Sequence, residues 1–174
     1  MRQRLPFFTL LNLLRRTITN VFPSRKHAGP ATSDHAEVPE PSFAERARTP
    51  AYLGRIGSLS TISRKQPGFP FGSVMPYALD ETRRPIFLIS SMAMHTQNLL
   101  TDPRASLLVT QPDASGDPLG ASRATVIGNV RTIPEPEIAG ARNLYLERHA
   151  NSKYWVDFEY FSFYRMDVLD VYYV

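Results

Sequence analysis

From residue 42 onward, the spacing of apolar positions switches repeatedly between the three-to-four-residue period of helices and the two-residue period of strands. Ser42 and Glu45 have the spacing of a capping box and predict a helix over residues 42–53, with Pro50 as a kink or early stop. The period then shortens. Ile56, Ser58, Ser60 and Ile62 share one face and Leu59 and Thr61 the other, as in a strand. Gln66, Pro67 and Gly68 mark a turn, residues 71–79 a second strand, and residues 80–84 a hairpin connection. Residues 85–90 (PIFLIS) read as a well-buried third strand.

A short helix follows over residues 94–100, stopped at Thr101-Asp102-Pro103 because a proline disfavours helical geometry in the residue before it. Residues 105–111 and 122–133 predict two more strands, the second with a bulge at Gly128. Between them lies a loop rich in Pro, Gly, Asp and Ser. Ile138, Ala141, Leu144 and Tyr145 have helical spacing after a proline start and predict a helix over 134–149. Residues 161–174 alternate again as a last strand or strand pair. About six antiparallel strands with short flanking helices, and little β–α alternation, favour a closed or split barrel of mainly β (α+β) class over a nucleotide-binding α/β fold.

The first 41 residues form a separate region. Residues 5–19 (LPFFTLLNLLRRTIT) have an apolar centre far shorter than the ~20 residues that span a bilayer. Three readings stay open for them: a targeting sequence, an interfacial amphipathic helix, or an extension without function. Any membrane contact is expected only through this segment, and a cytoplasmic location is the default expectation. Residues 23–41 are polar and proline-rich and predict a disordered linker. The domain division is therefore 1–41 and 42–174.

Charge and composition narrow the chemistry. The 174 residues suit one globular domain, and the absence of cysteine excludes disulfides, thiolate metal sites and cysteine nucleophiles. Histidine chemistry has four candidates: His27, His35, His95 and His149. The net charge of +4 is more than accounted for by Arg2, Arg4, Arg15, Arg16, Arg25 and Lys26, which precede the first acidic residue. A basic tail, not a basic domain, sets the high pI, and no nucleic-acid partner is expected. No metal site is read from the sequence.

Three runs carry a resemblance: residues 55–80 (RIGSLSTISRKQPGFPFGSVMPYALD), 84–109 (RPIFLISSMAMHTQNLLTDPRASLLV) and 123–130 (RATVIGNV). They resemble the HugZ-like branch of the pyridoxamine 5′-phosphate oxidase superfamily, the FMN-binding split barrels, over about two-thirds of the chain. The resemblance implies a homodimer with a small-molecule cofactor at the subunit interface, FMN slightly ahead of haem, and a flavin-dependent oxidoreductase as the enzymatic option. It also implies departures. True oxidases bind the flavin phosphate with an arginine and a lysine where this chain has Ser73 and Ala78, and with a Ser-Arg-Lys triplet where it has Ala93, Met94 and His95. Pyridoxamine oxidase activity is therefore not expected. Haem-degrading relatives continue past the DVYYV-type strand into a glycine-rich segment, and this sequence stops at Val174.

The expected cofactor-binding set is Ser73, Met75, Ile89, Ser90, Ser91, Met94, His95, Thr96 and Arg123; no catalytic residue is assigned. The helix start at Met94 and the hydroxyls of Ser90, Ser91 and Thr96 suit an anion. His95 at that start is expected neutral, able to touch a phosphate or a propionate or to ligate haem; the competing reading is a structural hydrogen bond. Arg123 either pairs with a propionate or phosphate or is an exposed strand-end arginine. Arg104 is expected to be a solvated or salt-bridged structural residue, and His149 a cation at a helix C-terminus. The aromatic run from Tyr154 to Tyr164 could stack on a cofactor, but core or dimer interface is the commoner use. A barrel that has lost its cofactor and serves as a dimeric regulatory module is the remaining alternative.

Overall fold

The structure is a computed structural model, and it describes residues 39–112 and 118–174. The expectations for the apolar segment, for most of the linker, and for His27 and His35 lie outside the described residues. The first element is helix α1 (Phe43–Leu53). Its capping box forms as the spacing requires: the Ser42 hydroxyl accepts from the Glu45 N–H at 3.3 Å, and the Ser42 N–H donates to the Glu45 carboxylate at 2.7 Å. Pro50 sits inside the helix without ending it.

Four strands and a helix follow: β1 (Ile56–Ile62), β2 (Pro70–Pro76), β3 (Ala78–Leu79), β4 (Pro85–Ser90) and α2 (Met94–Thr101). Then come β5 (Arg104–Thr110), β6 (Arg123–Thr132), α3 (Glu135–Arg148) and β7 (Phe161–Tyr173). All seven strands join one antiparallel sheet in the order β2-β1-β5-β6-β7-β4-β3. The two edges, β2 and β3, are separated in the chain by Tyr77 alone. A sheet whose opposite edges are one residue apart must curl round on itself, so this connection closes the barrel. The mainly β, split-barrel expectation holds. The count is seven rather than six because residues 71–79, read as one strand, change partner at Tyr77.

The barrel interior is filled by alternate residues of every long strand, among them Leu59, Met75, Phe87, Leu107, Val126 and Met166. A second apolar layer lies outside the barrel, where α3 covers β4 and β7 and buries Ile86, Leu88, Tyr145 and Phe163. The run PIFLIS therefore has no polar alternation: both of its faces are buried, one in each layer. Burying Phe87 and Leu88 fully contributes about 1.5–3 kcal/mol each.

The irregularity expected at Gly128 is present, with the extra residue on the facing strand. Ile127 pairs with Asp170 and Gly128 with Val168, leaving Leu169 as the unpaired residue. A Cβ on Gly128 would lie 2.4 Å from the Asp167 carbonyl oxygen, so only glycine permits this approach. His149 differs from expectation. Its Nε2 donates to the Tyr77 carbonyl at 2.8 Å and its ring packs on Tyr145. Burial, with Arg55 and Arg148 nearby, holds its pKa below the usual histidine value, so it is a neutral donor rather than a dipole-stabilised cation.

Candidate functional site

Strand β4 ends at Ser90, and a tight turn leads into α2. The Ser90 carbonyl accepts from the Ala93 N–H at 3.1 Å and from the Thr96 hydroxyl at 2.6 Å. The Gln97 amide donates to the Ser91 carbonyl at 2.7 Å, and the Ser91 N–H donates to the Tyr160 carbonyl at the same distance. The turn is thus stitched from both sides. Ala93, at the N-cap of α2, offers no side-chain oxygen, so the first-turn N–H groups have no side-chain cap.

One face of α2 turns toward the β1–β2 hairpin. His95 Nδ1 lies 3.2 Å from the Ser73 hydroxyl on β2. One turn later the wholly buried Asn98 donates to the Thr61 hydroxyl at 3.0 Å and accepts from the Arg64 N–H at 2.9 Å. This second clamp fixes the base of the exposed hairpin tip that carries Arg64 and Lys65. His95 is half-buried, and desolvation lowers its pKa, so the imidazole is neutral near pH 7. No described residue bonds its Nε2. A neutral imidazole with one nitrogen held by a hydroxyl presents the other as a donor or a ligand.

The expected residues divide into three groups. Ser73, Ser90, Ser91, Met94 and His95 come together at the α2 N-terminus, none fully buried. Met75, Ile89 and Thr96 lie behind them: Met75 and Ile89 fill the barrel core, and Thr96 closes the turn. Arg123 stands apart. Ser90 pairs with Phe161 at one end of β7, while Ala124, next to Arg123, pairs with Tyr173 at the other. Twelve residues of strand separate the two places, on the order of 40 Å of extended chain. The Arg123 guanidinium instead donates to the carbonyls of Leu119 and Ala121. Of the two readings for Arg104 the salt-bridged one is found, with Asp102 as partner.

The aromatic run was named as able to stack on a cofactor, but its place as an apolar wall beside the turn was not read from the sequence. Exposed Met92 and the mutually tilted rings of Phe158, Tyr160 and Phe161 flank Ser91, with ring centroids 5.5 and 5.2 Å apart. Their clustering with the turn depends on the Ser91–Tyr160 hydrogen bond, which no local spacing foretells.

Comparison with known proteins places this geometry. The family described as "CREG, beta-barrel" matches residues 39–174. The noncanonical heme oxygenase HOZ, chloroplastic, of Arabidopsis thaliana is 38% identical over 133 residues, 76% of this chain and 40% of that protein. The chain thus spans less than half the length of that relative. A heme-binding protein from Mycobacterium smegmatis superposes with a TM-score of 0.73 at 37% identity, covering 79% of this chain and 55% of the other. A FAD-binding protein from Mesorhizobium loti has a TM-score of 0.60 at 16% identity, covering 75% of this chain and 91% of that one, and shares the fold alone. The split-barrel resemblance read from the sequence is borne out.

Proposed function

The chain belongs to the CREG β-barrel family, and from that premise we propose that it binds haem beside the N-terminus of α2. The observation that carries the reading is His95: half-buried, neutral, held at Nδ1 by Ser73, and with Nε2 engaged by no described residue. The surroundings fit a porphyrin. Arg64 and Lys65 on the fixed hairpin tip supply cations for propionates, and Met92 with Tyr160 supplies an apolar edge. Haem would supply redox and oxygen chemistry at its iron, while the chain supplies ligand, polarity and access. The names of the two relatives at 37% and 38% identity support haem over flavin.

FMN is the second reading, favoured by the uncapped α2 N-terminus and the Ser90 and Ser91 hydroxyls. Its phosphate would meet neutral donors at the turn and would draw on the same Arg64 and Lys65 as a propionate, so the cations do not decide between the two readings. Oxygenase or oxidoreductase activity is a further step beyond binding.

We also propose a homodimer formed through the outer face of β2, β1, β5, β6 and the C-terminal end of β7, which α3 leaves open. Across it runs the row Val74, Ser58, Leu108, Thr125, Tyr172, each residue paired with the next. Val74 is 78% exposed and Tyr172 62%, so the single chain leaves a broad, weakly polar surface open. The test of the haem reading is a titration followed at the Soret band, with FMN titrated separately by flavin fluorescence. Saturable haem binding, with His95→Ala changing the spectrum and weakening affinity at least about tenfold, is expected. An unchanged His95→Ala spectrum removes His95 as ligand. Saturation by FMN alone installs the flavin reading, and binding of neither overturns both.

A further inference from the structure

We propose that the cleft where the C-terminal ends of α1 and α3 meet is a second binding site, one that takes a small aromatic anion, its ring against Tyr52 and its charge at Arg55 and Arg148. The cleft has a volume of about 460 Å³, inside the range of small-molecule sites, and is open to solvent on one side. Leu79 of β3, which pairs with Pro85 at the start of β4, lies in its wall. The His95 turn follows the other end of that strand, so the two places are separate.

The apolar part of the cleft is assembled from three elements. α1 ends in Tyr52 and Leu53, both more than half exposed, while α3 contributes Leu144 and β3 contributes Leu79. The Tyr52 ring is held from the turn between β3 and β4, where the Arg83 guanidinium lies 5.6 Å from its centroid. A fixed, exposed ring among leucines offers a flat apolar surface on which a second ring can pack.

The charged part is a reciprocal clasp. Arg55, just beyond α1, donates to the Arg148 carbonyl at the end of α3, and Arg148 donates in turn to the carbonyls of Tyr52 and Gly54. Each helix end is thus capped by an arginine of the other segment, and both guanidinium groups are fixed in place. A carbonyl carries only a partial charge, so each arginine keeps its net positive charge. Among the described residues neither makes an ion pair. Glu147 is the one carboxylate in the lining, and it is exposed. The Arg148 Nε is buried without a partner, so this cation is partly desolvated yet unpaired. Two like charges held together in this way lack an anion, and the leucines and Tyr52 beside them set that anion's body as aromatic or apolar.

The experiment titrates the full chain with 2-naphthyl phosphate, with 2-naphthoate, and with 2-naphthalenemethanol as the uncharged control, by calorimetry and amide NMR. Saturable binding of one anion per chain is expected, with shifts at residues 52–55 and 144–149 and with the alcohol at least about tenfold weaker. The tighter of the two acids identifies the head group as phosphate or carboxylate. Arg55→Gln, at an exposed position, should weaken both acids at least about tenfold while leaving the Tm and the haem titration little changed. Leu53→Glu, which sets a carboxylate in the apolar wall, should do the same. Arg104→Gln removes a charge elsewhere and should change nothing. No saturable binding to the wild type, undiminished binding to both cleft variants, an equal loss in Arg104→Gln, or displacement of the anion by one equivalent of haem would each overturn the proposal. The last outcome would place both ligands in one site and leave haem binding itself standing.

Discussion

Replacing Tyr77 with phenylalanine removes a single oxygen from the residue that closes the barrel, and its effect should reverse sign with pH. Tyr77 is wholly buried, and its hydroxyl donates to the Ala51 carbonyl at 2.7 Å. At neutral pH the variant loses that bond, at a net cost of about 1 kcal/mol. Burial also pushes the phenol pKa from 10 up to about 12. The unfolded chain ionises near pH 10 and the folded chain does not, so the wild type loses stability as pH rises through this window. One pH unit into it, at about pH 11, that loss is about 1.4 kcal/mol for this one group. Phenylalanine carries no such loss, so the two stability curves should cross between about pH 10 and 11. Tyr145, also raised to about 12 by burial, contributes equally to both proteins and cancels. The assay is urea unfolding of both proteins at several pH values, with matched m-values required before midpoints are compared. A gap that stays constant to pH 11 would show that the hydroxyl is not desolvated. No gap at pH 7 would show that the Ala51 bond adds nothing.

Other perturbations test separate parts of the structure. Gly128→Ala forces a Cβ against the Asp167 backbone and should cost about 2 kcal/mol or more, whereas Gly72→Ala, which faces open space, should stay within about 0.5 kcal/mol in the monomer; calorimetric Tm values separate the two. Asn98→Ala removes both hairpin bonds and strands the Arg64 N–H, with an expected loss of about 2–3 kcal/mol by chemical denaturation; a loss below about 0.5 would mean that water replaces the amide. His95 and His149 both have lowered pKa values, so stability present above the unfolded histidine pKa should fall as pH drops from 7 toward 5; unfolding free energies that are flat over that range in the wild type would contradict the burial argument. Val74→Glu with Leu108→Glu should convert the proposed dimer to a monomer in light scattering, and a dimer that survives both charges must use another face.

What the sequence discloses, and what it hides, follows from which interactions are local. The Ser42–Glu45 box, the helix at Met94 and the buried run of β4 are set by residues a few positions apart, and all three were legible. The break at Tyr77 was not. Met75 and Tyr77 point into the barrel and Leu79 is partly buried, so the two-residue alternation continues unbroken through the closure. Only the hydrogen-bonding partner changes, from β1 to β4, and side-chain pattern carries no record of partner. The same limit applies to Arg123. Its place at a strand start could be read, but its separation from His95 depends on the register of β7 against two neighbours.

The candidate site divides along the same line. The hydroxyls, the helix start and His95 lie within seven residues of one another, and their grouping was read correctly. Ser73 was named as well, although it meets His95 only because β2 is an edge strand against which α2 can lie. What no spacing could supply was the state of the imidazole. The helix dipole argued for a neutral ring, and in the folded chain burial lowers the pKa in the same sense. Both effects act in the same direction, so the neutral form does not depend on how they are apportioned. The ligand reading therefore rests on the Ser73 contact, which orients the ring. Ser73→Ala should accordingly leave His95 neutral but free to rotate, weakening haem several-fold without abolishing it. A loss as complete as in His95→Ala would instead make the hydroxyl itself a direct contact of the cofactor.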